Sequence, residues 1–450
     1  MKSFHQNQNQ IDMLHGPLLS KILIFSLPLA ASMMLQQLFN SADVAVVGRF
    51  DSPQAMAAVG SNGAAINLMV NLFVGLSIGA NVIVAKYIGK NEKTKIHDAV
   101  HTSISLALIG GVILLAWGLT MARVILTLMN TPDDIIELAV IYFRIYFLGT
   151  PFIMLYNFGS AVLRSKGDSK RPLKALAIGG VINVILNLIF VIGFKLSVIG
   201  VALATVISNI ISASMIMHYL MTEEEPFRFR PGELILMKTY LIEILRIGLP
   251  AGLQGTLFSI SNVCIQTAIN SIGSYASAGS AAALNFDFLV YYIAAAFTQG
   301  AVTFTSQNFG ARDYKRCDRV FMLSMLSGLF FTGLACLVCY IWSDELLSIY
   351  TINPEVLNYA NIRMIHVVVF LWMTNIYEIS GGCLRGMGYS TLPSVMVLLG
   401  CCVLRIIWVY TVFASYNDFT TLMDVYPVSW GITSIATMTA YYHVRKKLIA

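Results

Sequence analysis

Long runs without a formal charge dominate this sequence. Ser52 to Ala85, Ala175 to Phe194, Val320 to Ser343 and Val425 to Val444 contain no Asp, Glu, Lys or Arg. A hydrocarbon core of ~30 Å needs about 20 apolar residues per spanning helix. Inside lipid the backbone groups must be satisfied within the segment, which leaves helices and closed barrels. A spanning barrel would alternate polar and apolar residues over short strands, and these runs do not alternate. Across the chain 57% of residues are hydrophobic and only 12% charged, against roughly 25% charged in soluble domains. The fold expected is all-α and integral to the membrane, with twelve transmembrane helices in two parallel-repeat six-helix bundles.

Runs and breakers place those helices near 18–43, 54–85, 98–125, 134–163, 173–194, 197–220, 240–270, 277–307, 318–343, 355–384, 392–414 and 425–444. The first twenty residues are polar, so no cleavable signal is expected. Of the 29 Lys and Arg residues, 22 fall on one side of this plan, including Lys86 to Lys95, Arg164 to Lys174, Arg312 to Arg319 and Arg445 to Lys447. Opposite them stand Arg49 and Lys195 among Asp133, Asp134, Asp344, Glu345, Asp418 and Asp424. The positive-inside rule then puts both termini in the cytoplasm. The net charge of +6 reads as a topology signal, with no nucleic-acid partner.

The chain also repeats itself. Leu163-Arg164-Ser165-Lys166-Gly167-Asp168-Ser169 with Pro172 matches Leu384-Arg385-Gly386-Met387-Gly388-Tyr389-Ser390 with Pro393, at an offset of 221. Gly89-Lys90 falls on Gly310-Ala311 at that offset, while Pro28 pairs with Pro250 and Pro132 with Pro354 at 222. Each copy has six helices, so both cross from the same side and are parallel repeats, a design that permits alternating access by rocking. The divisions expected are 1–220, a charged cytoplasmic linker at 221–239, and 240–450.

Ionisable side chains within spans cost ~2.5–3.5 kcal/mol on insertion scales, so each invites a functional reading. Gln36, Asn40 and Asp43 fall at i, i+4 and i+7, one polar stripe on an apolar helix. An outer-end cap paired with Arg49 is the bland alternative, but the stripe runs further inward than capping needs. Asn183 and Asn187 form an i, i+4 pair on helix 5, with Asn157 in helix 4 and Thr205 in helix 6. Such groups can build an oxygen-rich site around the Asp43 carboxylate for Na⁺ or a proton, or simply bond helix to helix. Glu378 in helix 10 aligns with Asn157 when the LRxxG motifs are superposed, and Asp287 in helix 8 is a third acid at membrane depth. Either could meet a cationic substrate, take a proton, or pair with a base. Arg144, Arg363, Arg405 and His366 read as such partners or as snorkelling groups.

The seven cysteines lie mostly in apolar runs, and the Cys336–Cys339 CxxC has no His or carboxylate beside it, so small apolar filler is the reading. No GxxxxGK loop is present, and no catalytic triad or HExxH arrangement stands out. An enzyme is not expected. Energy would come from an ion gradient.

Leu38-Phe39-Asn40-Ser41-Ala42-Asp43 followed by Val47-Gly48-Arg49, together with Gln307-Asn308-Phe309-Gly310-Ala311 and the paired LRxxGxS loops, resembles the multidrug and toxic compound extrusion (MATE) transporters over nearly the whole chain. The resemblance implies two six-helix lobes in a V, in a bacterial plasma membrane, and H⁺- or Na⁺-coupled export of organic, often cationic compounds. It implies no other cofactor and a monomer in the lipid bilayer. In the family's DinF-like branch the helix-1 acid and polar residues of helices 4, 5 and 6 form the coupling site. That pattern carries over to Asp43, Asn157, Asn183 and Thr205, with Asn187 where some members have an acid. Gln36, Asn40, Asp287 and Glu378 are the candidate substrate contacts. Glu378 resembles the helix-10 acid of other branches, so either it or Asp43 could dominate. A lipid-linked precursor flippase of the same wider fold is the alternative, and would call for a broad basic cavity.

Overall fold

The computed structural model describes residues 10–129 and 131–449; Lys2, counted above with the cytoplasmic cations, lies outside them. Twelve long helical segments follow one another among the described residues. The first six are α1 Leu18–Phe50, α2 Pro53–Gly89, α3 Lys93–Leu128, α4 in two pieces, Ile136–Leu148 and Thr150–Ser165, α5 Lys170–Gly193 and α6 Ser197–Met221. Then come α7 Lys238–Ile272, α8 Ser274–Gly310, α9 Tyr314–Ile341, α10 Pro354–Gly386, α11 Thr391–Tyr416 and α12 Val425–Ile449. No strand occurs among the described residues.

Ten of these helices are long and apolar enough to cross a membrane, and α4 makes an eleventh if its two pieces, bent by 46° at Gly149, are one span. The expected twelfth, α12, is a helix rich in hydroxyls that ends in Arg445, Lys446 and Lys447. Several of its buried hydroxyls turn back on their own backbone: Thr433 donates to the Ser429 carbonyl at 2.7 Å and Thr437 to that of Thr433 at 2.9 Å. That local bonding removes their need for water. The uncharged stretch between α7 and α8 breaks at Gly273, whose φ of +140° suits a residue without Cβ.

The chain separates into two compact units, and their boundary is not in the linker. One unit holds Ala31–Gly252; the other holds Leu253 onward together with Met13–Ala30. The change of membership comes close to Pro28 in α1 and to Pro250 in α7, both inside their helices. Proline removes a backbone donor and clashes with the carbonyl one turn back, so each is a weak point in its rod. Glycine holds the transferred half-helix. In the first unit a Cβ on Gly75 would stand 2.2 Å from the Gly252 Cα, and one on Gly79 would stand 2.3 Å from the Ile244 carbonyl oxygen. The α2 and α7 backbones therefore touch, as small-residue helix crossings allow. In the second unit Gly300 of α8 faces Ser26 of α1, and Phe25 meets Phe304 edge-on at 5.7 Å.

The duplication shows in the backbone. Gly167 and Gly388, equivalent positions in the two copies, take φ of +97° and +93°. In each copy the glycine N–H bonds the carbonyl three residues back, Arg164 or Arg385, at 2.9 Å; the next N–H reaches Leu163 or Leu384 at 3.1 and 2.8 Å. This is the Schellman end of a helix written twice. Asn91 and Arg312 repeat it after α2 and α8, with φ of 57° and 60°. The charged segment between α6 and α7 packs on the first unit: Arg230 N–H bonds His101 Nε2 at 3.1 Å and Met237 N–H bonds Thr102 Oγ1 at 3.3 Å.

Candidate functional site

Asp43 lies two turns inside α1, which continues to Phe50, rather than at its end. The cap reading therefore fails, and Arg49 is exposed with no bond to it. The carboxylate is buried, 7% exposed, and is held by donors from two other helices. Asn187 Nδ2 of α5 donates to Oδ1 at 2.6 Å, and Thr205 Oγ1 of α6 donates to Oδ2 at 3.1 Å. Asn183 joins behind them: its Oδ1 accepts from Asn187 Nδ2 at 3.2 Å and its Nδ2 reaches Thr205 Oγ1 at 3.3 Å. No ion pair among the described residues includes Asp43. An acid in this position keeps its charge only through neutral dipoles, a state that a proton or a small cation relieves.

Two details make the cluster adaptable. Asn187 Oδ1 is buried without a hydrogen-bond partner, so half a turn of the amide would replace the donor at Asp43 by an acceptor. The single Thr205 hydroxyl proton is shared between Asp43 and the Val201 carbonyl at 3.0 Å. Tyr142 and Tyr146 of α4 lie close enough to feel the Asp43 charge; nothing in their sequence setting marked them. Asn157 is not drawn in. Its Nδ2 donates to the Ile153 carbonyl one turn back at 2.9 Å, so that helix position satisfies itself. Gln36 and Asn40 are exposed while Asp43 is buried; the expected stripe does not converge on one pocket.

A cavity of about 330 Å³ lies on the same three helices. It is lined by Phe50, Asp51, Val191, Ile192, Lys195 and Ser197. Asp51 is eight residues past Asp43, Lys195 eight past Asn187, and Ser197 eight before Thr205. At 1.5 Å per helical residue that is about 12 Å from the cluster along α1 and α6. The turn that closes it holds Lys195 and Ser197 with φ of 56° and 51°, a left-handed conformation that costs a non-glycine residue energy and often accompanies function.

The acids of the second unit are differently placed. Asp287 is clamped by Arg363, whose Nη2 and Nε reach Oδ2 at 2.5 and 3.1 Å, while Arg363 Nη1 donates to Ser280 at 2.9 Å. Expected as a candidate substrate contact, Asp287 is instead half of a buried ion pair. Glu378 accepts from the Tyr291 hydroxyl at 3.3 Å and is only half-buried. Arg405 is fully buried, bonded to Ser429 at 3.2 Å and Asn262 at 3.4 Å, with its guanidinium over the Tyr426 ring at 4.5 Å. It does not snorkel. Arg144 is exposed, and His366 contacts Asp424 at 2.7 Å.

Beyond the spans of the first unit, the LRxxG loop joins a buried network. Lys166 and Arg171 both pair with Glu223, and Arg171 also pairs with Asp168. Burial pushes the Lys166 ammonium below its ordinary value, while the Glu223 carboxylate beside it pulls the other way. The loop cations that read as simple topology signals thus also fasten α4, α5 and the end of α6 together.

With this geometry in place, the comparisons with known proteins decide the family. A family model described as MatE matches residues 28–189 and again 250–411. The chain belongs to the MatE family. The two matches begin at Pro28 and Pro250, the prolines already paired by the repeat. "Probable multidrug resistance protein YoeA" of Bacillus subtilis is 27% identical over 439 residues, covering 94% of this chain and 93% of that one. "FAD transporter" of Shewanella oneidensis is 22% identical over 353 residues and 78% of each chain. The crystal structure of MATE in complex with MaL6 superposes with a TM-score of 0.92 at 21% identity, over 98% of this chain and 99% of that one. MatE proteins are membrane transporters, not enzymes.

Proposed function

We propose that this chain is an H⁺- or Na⁺-coupled antiporter that exports organic, mainly cationic, drugs or metabolites from a bacterial cell, with both termini in the cytoplasm. The observation that carries the reading is the Asp43 carboxylate, buried in the first unit and held by neutral donors alone. Its partners on helices 5 and 6 favour the DinF-like arrangement. Multidrug-resistance relatives of nearly full-length overlap support drug efflux.

In this scheme the cavity at Asp51 and Lys195 is the cation's way in from outside. A proton reaching Asp43 neutralises it, and Asn187 and Thr205 then bond a carboxylic acid. A Na⁺ ion instead takes the carboxylate oxygens and, after the amide turn, Asn187 Oδ1. Either ion removes a lone negative charge from an apolar bundle, which changes the relative energy of the unit's conformations. Antiport follows if the ion and the substrate prefer different conformations.

The test uses purified protein in proteoliposomes with an imposed pH gradient or Na⁺ gradient, and both a cationic dye and FAD as cargo. Efflux driven by one gradient and abolished by Asp43→Asn is expected. Undiminished gradient-driven efflux in Asp43→Asn would overturn the assignment.

A further inference from the structure

The start of α3 and the charged segment after α6 bring together three side chains that the transport scheme does not use. His97 and His101 stand at i, i+4 on α3, on one face of the helix. Glu233 comes from a short 3₁₀ turn, Pro231–Glu233. One ligand atom from each lies within 4.8 Å of the other two. His97 Nε2 is 3.0 Å from Glu233 Oε2, and the two imidazole rings lie 4.1 Å apart.

Hydrogen bonds fix the chemistry of the buried imidazole. His101 Nδ1 is 2.9 Å from the His97 carbonyl oxygen, which can only accept, so Nδ1 carries the proton. Arg230 N–H, which can only donate, points at Nε2 from 3.1 Å. His101 is therefore neutral, with its lone pair on Nε2, the tautomer a metal ligand needs. His97 turns Nε2 to Glu233 and has the Asp98 carboxylate 3.6 Å from Nδ1. A carbonyl behind one histidine and a carboxylate near the other match the outer support usual for metal-bound imidazoles. Glu233 Oε1 is held by Arg230 Nη1 at 2.9 Å, and Oε2 faces His97 Nε2, a contact that an ion between the two would replace.

We propose that His97, His101 and Glu233 form a binding site for a divalent transition-metal ion of the zinc class. Two imidazoles and one carboxylate suit Zn²⁺, Co²⁺ or Ni²⁺; Mg²⁺ and Ca²⁺ prefer oxygen throughout. Three protein donors leave one position for water. Binding takes the His101 lone pair from the Arg230 amide, which then turns to solvent beside an exposed side chain. The bound ion clamps the segment between α6 and α7 onto α3.

Full-length protein without an affinity tag, stripped with chelator, is titrated with Zn²⁺ and separately with Co²⁺, and bound metal is counted after gel filtration. One equivalent per chain is expected, with visible d–d bands for Co²⁺ and a raised melting midpoint with Zn²⁺. Glu233→Gln and His97→Gln, both at solvent-accessible positions, should each weaken binding at least ~10-fold, as loss of a ligand or its support does elsewhere. The chelated forms of these variants keep the parent's elution profile. Absence of stoichiometric metal, or affinity equal to the parent's in both variants, overturns the site. His101→Gln is judged by metal content only if its chelated form also elutes as the parent does.

Discussion

The glycine crossings give the sharpest test of how the two units are built. Gly79 and Gly300 are repeat equivalents, but what a methyl group would meet differs. On Gly79 it would lie 2.3 Å from the Ile244 carbonyl oxygen and 2.9 Å from the Gly248 nitrogen, both backbone. An ordinary contact is 3.4 Å or more, so Gly79→Ala must part α2 from α7 by about 1 Å, in a crossing held by close backbone packing. Overpacking of this kind costs ~1–3 kcal/mol, and the rigid neighbour puts it at the upper end. Against it stands a gain of about 1 kcal/mol for replacing glycine by alanine in a helix. The expected net is a loss of about 2 kcal/mol, which for a unit of some 200 residues lowers the melting midpoint by roughly 4–8 °C. On Gly300 the methyl would meet only Ser26 Oγ at 2.6 Å, a hydroxyl that can rotate away. Gly300→Ala should be near neutral, and in Gly300→Ala/Ser26→Gly the remaining strain should vanish relative to Ser26→Gly alone. The assay is the fraction of monodisperse protein after heating, read by gel filtration in one detergent. Equal midpoints for Gly79→Ala and Gly300→Ala would refute the assignment of backbone contact to one crossing and side-chain contact to the other.

Further tests address the site and its supports. Asn187→Leu removes the 2.6 Å donor to Asp43; hydrogen bonds to charged groups are worth ~1.5–3 kcal/mol, so gradient-driven efflux should fall at least ~10-fold while folding, read by gel filtration, persists. Glu223→Gln leaves Lys166 without its ion-pair partner where the Lys166 and Glu223 side chains are each 2% exposed, while Arg171 keeps Asp168. A loss of ~3–5 kcal/mol is expected, seen as a lowered melting midpoint, with partial recovery in Lys166→Met/Glu223→Met. Lys195→Ala removes a cation from the cavity mouth; screening limits the effect to ~1 kcal/mol, so the half-saturating coupling-ion concentration should drop up to ~5-fold at low salt and converge with the parent at high salt.

Much of the fold was legible because lipid imposes a length on every apolar helix, and because a duplicated chain repeats its helix-ending signals. The Asp43 partners on α5 and α6 were legible for a related reason: Asn187, Asn183 and Thr205 are polar residues with no business on a lipid face. Other features depend on geometry that spacing does not carry. The apolar run of α1 ends at 43, where Asp43 interrupts it, and only the structure takes the helix on to Phe50. Asn157 looked like a ligand by residue type, yet its own helix supplies the acceptor it needs. The bend of α4 at Gly149-Thr150-Pro151 lay within one apolar run. The exchange of half-helices between units rests on contacts such as Gly75 with Gly252, between glycines far apart in the sequence. With α3 expected to begin at 98, His97 stood outside the helix, and its pairing with His101 was hidden. Glu233, on the far side of three further helices, had no sequence link to either.

The two copies differ in kind at the positions where function is sought. Backbone demands have been kept even when the residue changed: Asn91 and Arg312 hold the same left-handed turn. Side-chain chemistry has not. At the spacing that pairs Pro28 with Pro250, Asp43 falls on Ile265, which is 1% exposed within the apolar core of the second unit. The two membrane-depth acids of that unit have no acidic counterparts in the first: at the offset that superposes the LRxxG motifs Asp287 falls on Ile66 and Glu378 on Asn157. Asp287 is already neutralised by Arg363, so a cation arriving there would meet no net charge to cancel. Glu378 accepts from a tyrosine hydroxyl, feels the Arg385 cation and remains partly open. A buried carboxylate held by neutral groups alone therefore occurs once among the acids considered, in the first unit. Only there, among the acids considered, does binding a single positive charge turn a buried lone anion into a neutral bundle, which is the conversion the proposed antiport would draw on.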